Sequence, residues 1–337
     1  MSKMAEDGDF AVSRLLRRTF QHTSEHGTVY AFRRAVWKLC YARFERLKKR
    51  RASQGALQPA TIRYLDQEFE LHPSMQGLSE ELRLFGTHEP LGTRLYLQQL
   101  SAGDHVLDIG SNIGYWLLIA EQAIGESGRV LGFEPVPDLF DILQRNIARS
   151  GHKNVRVLPC AVGATNGTAH FYQSEVPNWG SLMRQDGVKQ TCTIDVEVRR
   201  LEDVLREFPD FHPHALRMDL EGAERMVLES AEEVLARYTP SLFVEFHPAV
   251  VGWPAIRKTL VWLQGLGYSL GTLIQRTWDH PWIGSWMRKR RSWSGSIEEL
   301  IRRIESPKDP LAGYTFSLIL PRARKRSESE SSRWPRK

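Results

Sequence analysis

The sequence predicts a doubly wound α/β fold, a mostly parallel sheet with an antiparallel last strand, on three observations. Short apolar runs recur at 106–109, 130–133, 155–159, 216–218 and 242–246. Helix-forming stretches separate most of them, which is the alternation that joins parallel strands by crossover helices on both faces of a sheet. Acids stand at or near the ends of four runs, Asp108, Glu134, Asp219 and Glu245, where an open α/β sheet places its ligand crevice.

The elements follow in order. At 29–51, Val29, Phe32, Val36, Leu39, Phe44 and Leu47 recur at near-helical spacing against a basic side that includes Arg33, Arg34, Lys38, Arg43, Arg46 and 48–51. That is a basic amphipathic helix, suited either to an anionic membrane surface or acidic partner, or to packing on its own domain. It belongs to an extension over 1–52. A preamble at 53–100 opens with a Gly- and Pro-containing linker at 53–59, continues through a strand pair or one long strand at 61–72, and closes with a helix at 91–100. The main domain, 101–321, holds helices at 115–124, 137–150, 224–237 and 253–266 and late strands at 268–273 and 315–320. A Trp- and Arg-rich insertion at 275–300 interrupts those last strands, with Trp278, Trp282, Trp286 and Trp293 beside 288–291. Interleaved indoles and arginines stack on bases or sugars or lie in a membrane interface; the other reading is an insertion that caps the sheet. The tail at 322–337 lacks an apolar pattern and is expected to be disordered.

The most informative stretch is Val106-Leu-Asp-Ile-Gly-Ser-Asn-Ile-Gly-Tyr-Trp116. Gly110 and Gly114, with Asn112 between them, form a turn that lets backbone approach a ligand closely. A pyrophosphate-binding G-x-G-x-x-G is absent, and Asp108 would repel phosphate. An acid there suits a cationic ligand, and S-adenosylmethionine carries an ammonium and a sulfonium. Glu134, one βα unit later, is placed to accept the ribose hydroxyls of such a cofactor.

From these residues onward the chain resembles the FkbM-type methyltransferase family. The resemblance continues through Cys160-Ala-Val-Gly163 and Val198-Arg-Arg-Leu-Glu-Asp-Val-Leu205. It is most specific at Leu216-Arg-Met-Asp-Leu-Glu-Gly-Ala-Glu224, and it extends to Phe243-Val-Glu-Phe-His247 and, upstream, to the segment from Gly77 to Gly86 and His88-Glu-Pro90. It covers roughly residues 60 to 275. It implies a class I, Rossmann-like methyltransferase fold, S-adenosylmethionine as cofactor, and hydroxyl acceptors on sugars, glycans or secondary metabolites. The cofactor residues it implies are Asp108, Gly110, Asn112, Gly114, Glu134, Ala161 and Asp219.

An alcohol acceptor needs a base, because its proton is held tightly until oxygen attacks. Asp219, Glu221, Glu245 and His247 lie at or just past two strand ends and are the candidates. Glu245 is the expected base with His247 as its neighbour, and Asp219 is expected to touch the cofactor. Each also has a structural reading: Asp219 as a helix cap, Glu221 as an acid at a helix start, and Glu245 with His247 as an internal pair. Asp219 and Glu245 would also suit magnesium, though no spacing requires a metal. Trp179, in the turn-rich 177–181, is placed either to stack on an acceptor sugar or cover the cofactor, or to sit at the surface. His212 and His214 lie in a Pro-rich loop and make a poor metal pair.

Composition bounds the alternatives. The 337 residues carry a formal charge of +6, concentrated near both ends, and three cysteines, Cys40, Cys160 and Cys192, without C-x-x-C spacing. This fits a reducing cytoplasm, with peripheral membrane contact left to the basic helix. No run is long enough to span a bilayer, and the N-terminus does not read as a secretory signal. The competing functions are a nicotinamide oxidoreductase, opposed by the missing glycine fingerprint, and an RNA-binding or RNA-methylating protein using the basic arms. No specific nucleic-acid partner is expected, since no RNA-binding module is recognisable.

Overall fold

The computed structural model describes Val36, Leu39 and Arg46 and residues 61–64, 67–74, 76–151, 153–184, 190–276, 279, 292–305 and 315–321. The helix expected at 29–51 lies outside these apart from the three named residues, as do the linker at 53–59, the tail and most of the 275–300 insertion.

The chain begins with β1 (Thr61–Tyr64), β2 (Gln67–Glu70), α1 (Leu78–Phe85) and α2 (Pro90–Leu97). It continues with β3 (His105–Ile109), α3 (Tyr115–Ile124), β4 (Arg129–Phe133), α4 (Pro137–Ser150), β5 (Val155–Leu158), β6 (Ala161–Val162), β7 (Gly167–Ser174) and β8 (Gln190–Arg199). The second half holds α5 (Leu201–Glu207), β9 (Ala215–Met218), α6 (Glu224–Ser230), α7 (Glu232–Tyr238), β10 (Ser241–Phe246), α8 (Pro248–Val251) and α9 (Trp253–Gly265). It closes with β11 (Leu270–Gln275), β12 (Ser292–Ser296), α10 (Ile297–Glu305) and β13 (Phe316–Leu320).

Among the described residues, eight strands form the main sheet in the order β12-β11-β13-β10-β9-β3-β4-β5. β5, β4, β3, β9 and β10 are parallel, and β13 runs antiparallel between β10 and β11. The chain winds outward from β3 to β5 and then returns to build the other half from β9. The strand order therefore reverses between β3 and β9, which opens a crevice at their carboxyl ends. This is the doubly wound α/β fold with its antiparallel last strand. β12 adds an edge strand from the end of the insertion, where Trp293 lies under the Arg303 guanidinium at 4.9 Å.

Alternation along the strands divides the interior into two cores. Leu107, Ile109, Leu216, Met218 and Val244 pack on one face with α6, α7 and α9. Val106, Phe243 and Ile319 pack on the other with α3 and the preamble. α3 is buried almost all round, as its lack of a polar face requires. α4 buries Leu139, Ile142, Leu143 and Asn146, starts at Pro137 and stops at the left-handed Gly151. Asn146 ties the preamble to the glycine turn: its amide donates to the Ile113 carbonyl at 2.8 Å and its oxygen accepts the Glu70 N–H at 2.6 Å.

Two features depart from the sequence pattern. The expected helix at 224–237 is two helices broken at Ala231, where the Ser230 hydroxyl donates back to the Val227 carbonyl and the Ala231 N–H is shared by Val227 and Leu228. A separate three-stranded sheet, β6-β8-β7, stands beside the crevice. Its long hairpin is exposed on one side and carries no apolar run, so periodicity alone did not announce it.

Gly110 has a φ of 83°, and a Cβ on it would meet the Asp219 carbonyl oxygen at 2.6 Å. Gly110→Ala combines a left-handed backbone cost of ~1–2 kcal/mol with overpacking of ~1–3 kcal/mol. A denaturant titration should show a loss of at least ~2 kcal/mol, and an unchanged midpoint would contradict this packing.

Candidate active site

A crevice with a cavity of about 70 Å³, open at its mouth, lies between the ends of β3, β4 and β9 and the small sheet. Gly110, Asn112, Glu134, Ala161, Arg217, Asp219 and Leu220 line it, with Leu139, Phe171 and Leu182 as apolar walls. The glycine turn is formed by main-chain bonds, because the Gly110 and Ser111 N–H groups both donate to the Phe133 carbonyl. Asn112 itself is left-handed, with φ 52°.

Glu134 is held from two sides: one carboxylate oxygen accepts the Asn112 N–H at 2.8 Å and the other the Val136 N–H at 2.9 Å. Burial pushes its carboxyl up to about 7 despite these donors. Each oxygen keeps acceptor capacity toward the crevice. Ala161 and Cys160 line the wall beside it, and burial raises the Cys160 thiol to about 12, so it is no nucleophile.

Asp108 occupies a different place from the one expected. Its side chain is fully buried and is not part of the crevice lining. It pairs across the strands with Arg217, whose Nη1 lies 3.3 Å from its carboxylate and donates to the Gly110 carbonyl at 2.9 Å. Arg217 Nη2 reaches Asp219 at 3.2 Å, and its guanidinium lies 5.4 Å from the Trp116 ring. In this structure the motif acid is paired with Arg217 in the core. Asp219 lines the crevice itself.

Beyond Asp219 lies a buried imidazole surrounded by carboxylates. His247 Nδ1 is 3.0 Å from Glu224, and its Nε2 is 3.3 Å from Glu221 and 3.8 Å from both Asp219 and Glu245. Burial alone would lower the imidazole, but Glu221 and Glu224 outweigh it and hold His247 well above its ordinary range. Burial raises Glu221 to about 8 and, with Asp219 and Glu89 nearby, holds Glu245 well above the usual carboxylate range. Glu224 also accepts the Leu220 and Gly222 N–H groups at 3.1 Å, which shapes the turn where Glu221 adopts φ 52°.

The preamble closes this cluster from above. Arg276 Nε lies 2.7 Å from Glu89 and 3.7 Å from Glu245, and His88 bridges Glu81 at 2.7 Å and Glu89 at 3.1 Å. Sequence reasoning brought Asp219, Glu221, Glu245 and His247 to one place, and Glu134 and Ala161 to the adjoining wall. It missed Arg217, Glu224, Arg276 and the pair His88 and Glu89. An arginine inside an apolar strand run was a readable signal, since such a charge needs buried partners. Arg276 carried no local signal.

Residues 108–270 match the model of the methyltransferase FkbM domain. Over these residues the chain is similar to the methyltransferase FkbM domain. Among similar proteins is Methyltransferase sdnD of Sordaria araneosa, 28% identical over 166 residues, covering 41% of this chain and 64% of that protein. Methyltransferase 1 of Beauveria bassiana is 28% identical over 146 residues, covering 38% and 58%. The chain thus spans less than two thirds of the length of either relative. A crystal structure of methyltransferase FkbM from Methylobacillus flagellatus KT aligns with 17% identity and a TM-score of 0.44, covering 72% of this chain and 51% of that one.

His88 supplies a pH test of the cluster. Burial would lower it, yet Glu81 and Glu89 carry it up to about 9. A raised histidine contributes stability that is full below its unfolded value near 6.5 and is lost as pH rises through about 9. Thermal or denaturant unfolding should therefore show stability falling between pH 6.5 and 9, by on the order of 3 kcal/mol from this group. His88→Asn should flatten that slope, and an equally steep slope in the variant would remove His88 from the account.

Proposed function

We propose that the chain is an S-adenosylmethionine-dependent methyltransferase that methylates a hydroxyl on a sugar, glycan or secondary metabolite. The observation that carries this reading is a crevice that joins the Glu134 wall to the Asp219 and His247 cluster. The match of residues 108–270 to the methyltransferase FkbM domain supports methyl transfer, and the two fungal relatives support a methyltransferase without choosing the acceptor.

The residues fit the cofactor. Glu134 presents carboxylate lone pairs where a ribose diol would bind, and Gly110 admits close backbone approach. Both cationic groups lining the crevice, Arg217 and His88, are committed to carboxylates, so neither is free for a pyrophosphate. This opposes the dinucleotide alternative. Ala161, Leu139 and Val136 give the apolar wall for a flat base. When bound, S-adenosylmethionine supplies an electrophilic methyl carbon with a neutral thioether as leaving group.

The chain's part is then alignment, exclusion of water and removal of the acceptor's proton. Asp219 is the carboxylate of the cluster that lines the crevice. We assign it the first contact with that proton. Glu245 stands behind it: burial raises its carboxyl well above the usual carboxylate range, and its place outside the crevice lining argues against the base role suggested by the strand pattern. His247, positioned by Glu224, spreads the charge across the cluster. A second reading rests on one distance: donor atoms of Asp219, Glu245 and His247 all lie within 4.8 Å of one another, a span one divalent cation fits. Loss of turnover on chelation, restored by magnesium, would favour it.

Two variant sets test the proposal. Glu134→Ala should weaken S-adenosylhomocysteine binding by the ~1.5–3 kcal/mol of a charged hydrogen bond, measured by calorimetry. Unchanged affinity in the folded variant would remove the ribose role. Asp219→Asn should lower turnover with an alcohol acceptor by ~100-fold or more while the protein stays folded. Glu245→Gln, which alters a buried residue outside the crevice lining, should cost less than ~10-fold. The reverse ranking, read from transfer of a labelled methyl group, would return the base role to Glu245.

A further inference from the structure

The crevice has a wall that belongs to neither the strand ends nor the helices. Past β7 the chain makes a short turn, Pro177–Trp179, and returns through residues 180–184; Pro177, Gly180 and Leu182 line the crevice. Ser181 sits in this flap and is 2% exposed. Its main chain pairs with Tyr172 in both directions, at 2.9 and 3.1 Å, which anchors the flap to β7. Its hydroxyl does something else: it donates to the Leu220 carbonyl at 2.8 Å and accepts the Met183 N–H at 3.1 Å.

Leu220 follows Asp219 in the acidic turn. That turn is fixed from one side by Glu224, which takes the Leu220 and Gly222 N–H groups, and from another by Gly110, packed on the Asp219 carbonyl. Ser181 supplies the third constraint, across 39 residues of chain. A serine hydroxyl is short and has two free lone pairs and one proton, so one buried atom joins the flap to the turn and satisfies the flap's own N–H.

We propose that Ser181 is a positioning residue that couples closure of the flap over the cofactor to the placement of Asp219, so that the donor wall and the proton acceptor are set together. The proposal rests on the methyl-transfer reading above. It makes the flap part of the catalytic geometry, and the bond cannot form when either the flap or the turn is displaced.

The test compares the full chain with Ser181→Ala and Ser181→Thr, using S-adenosylhomocysteine as the binding probe and labelled methyl transfer for turnover. Wild type that neither binds this probe nor transfers methyl takes down the functional reading and the coupling with it. If wild type does both, Ser181→Ala should bind about tenfold more weakly, the worth of one buried hydrogen bond, and turn over about tenfold more slowly at saturating cofactor. Hydrogen exchange gives the readout that a merely structural serine would not move. On adding the probe, residues 172–184 and 219–224 should gain protection together in wild type, whereas in Ser181→Ala the second segment should no longer follow the first. Ser181→Thr keeps the hydroxyl and should restore binding, turnover and joint protection. Wild-type binding and turnover in Ser181→Ala would overturn the proposal. Should the alanine variant fail to fold, the threonine variant decides: wild-type values uphold the coupling, and a folded threonine variant with separated protection overturns it.

Discussion

The site depends on one buried cation. Arg217 sits in the middle of a parallel sheet, a position where an unpaired charge is among the most costly features a fold can carry. Three contacts make it tolerable: Asp108 on β3, the Gly110 carbonyl and Asp219 at the strand end. Because guanidinium donors lie in a fixed fork, satisfying them fixes the groups that satisfy them. The glycine turn, the strand next to it and the acid facing the crevice are therefore held in one register by the requirement that Arg217 not be left alone. Trp116, from the helix after the turn, covers the guanidinium face and extends the constraint into α3.

That interaction explains which parts of the site were readable from sequence. The order of strands and helices was legible because parallel strands buried on both faces must be largely apolar, as 106–109, 130–133 and 242–246 are apart from Asp108 and Glu245. The gathering of Asp219, Glu221, Glu245 and His247 was legible because adjacent parallel strands end side by side. The direction Asp108 faces was not, since it depends on the cross-strand partner: register sets Asp108 beside Arg217, and Arg217 beside Phe243. A ligand contact and a core counterion look alike when only one strand is read. Arg276 and Glu89 reach the cluster from segments far apart in the chain, and no local pattern marks such a meeting. The small sheet escaped for a different reason, because strands with one exposed face and mixed polar residues resemble loop sequence.

The carboxylates around His247 pose an electrostatic problem that the fold resolves by holding protons back. Glu221, Glu224, Glu245 and Asp219 gathered about one imidazole would repel one another if all were ionised. Burial leaves Glu245 and Glu221 inclined to keep their protons, while Glu224, supplied with two N–H donors and the imidazole, is held below the ordinary carboxylate range. Glu221, Glu224 and Glu245 all lie within 4 Å of the same imidazole, so a charge placed on one is felt by the others.

Placement then divides the labour within that cluster. The member nearest the solvent side of the crevice, Asp219, is joined to Arg217 through its own carboxylate and to the flap through the carbonyl of the next residue. The deeper members, Glu245 and His247, are buried and do not line the crevice. A carboxylate that contacts substrate must be tethered, or the gain from orientation is lost to its own side-chain freedom. Asp219 is tethered at one end by a core ion pair and at the other by a turn whose geometry Glu224 dictates. The same residues that satisfy a buried arginine thus fix Asp219 at the crevice, and this is why stability and the geometry of the site are hard to separate in this part of the molecule.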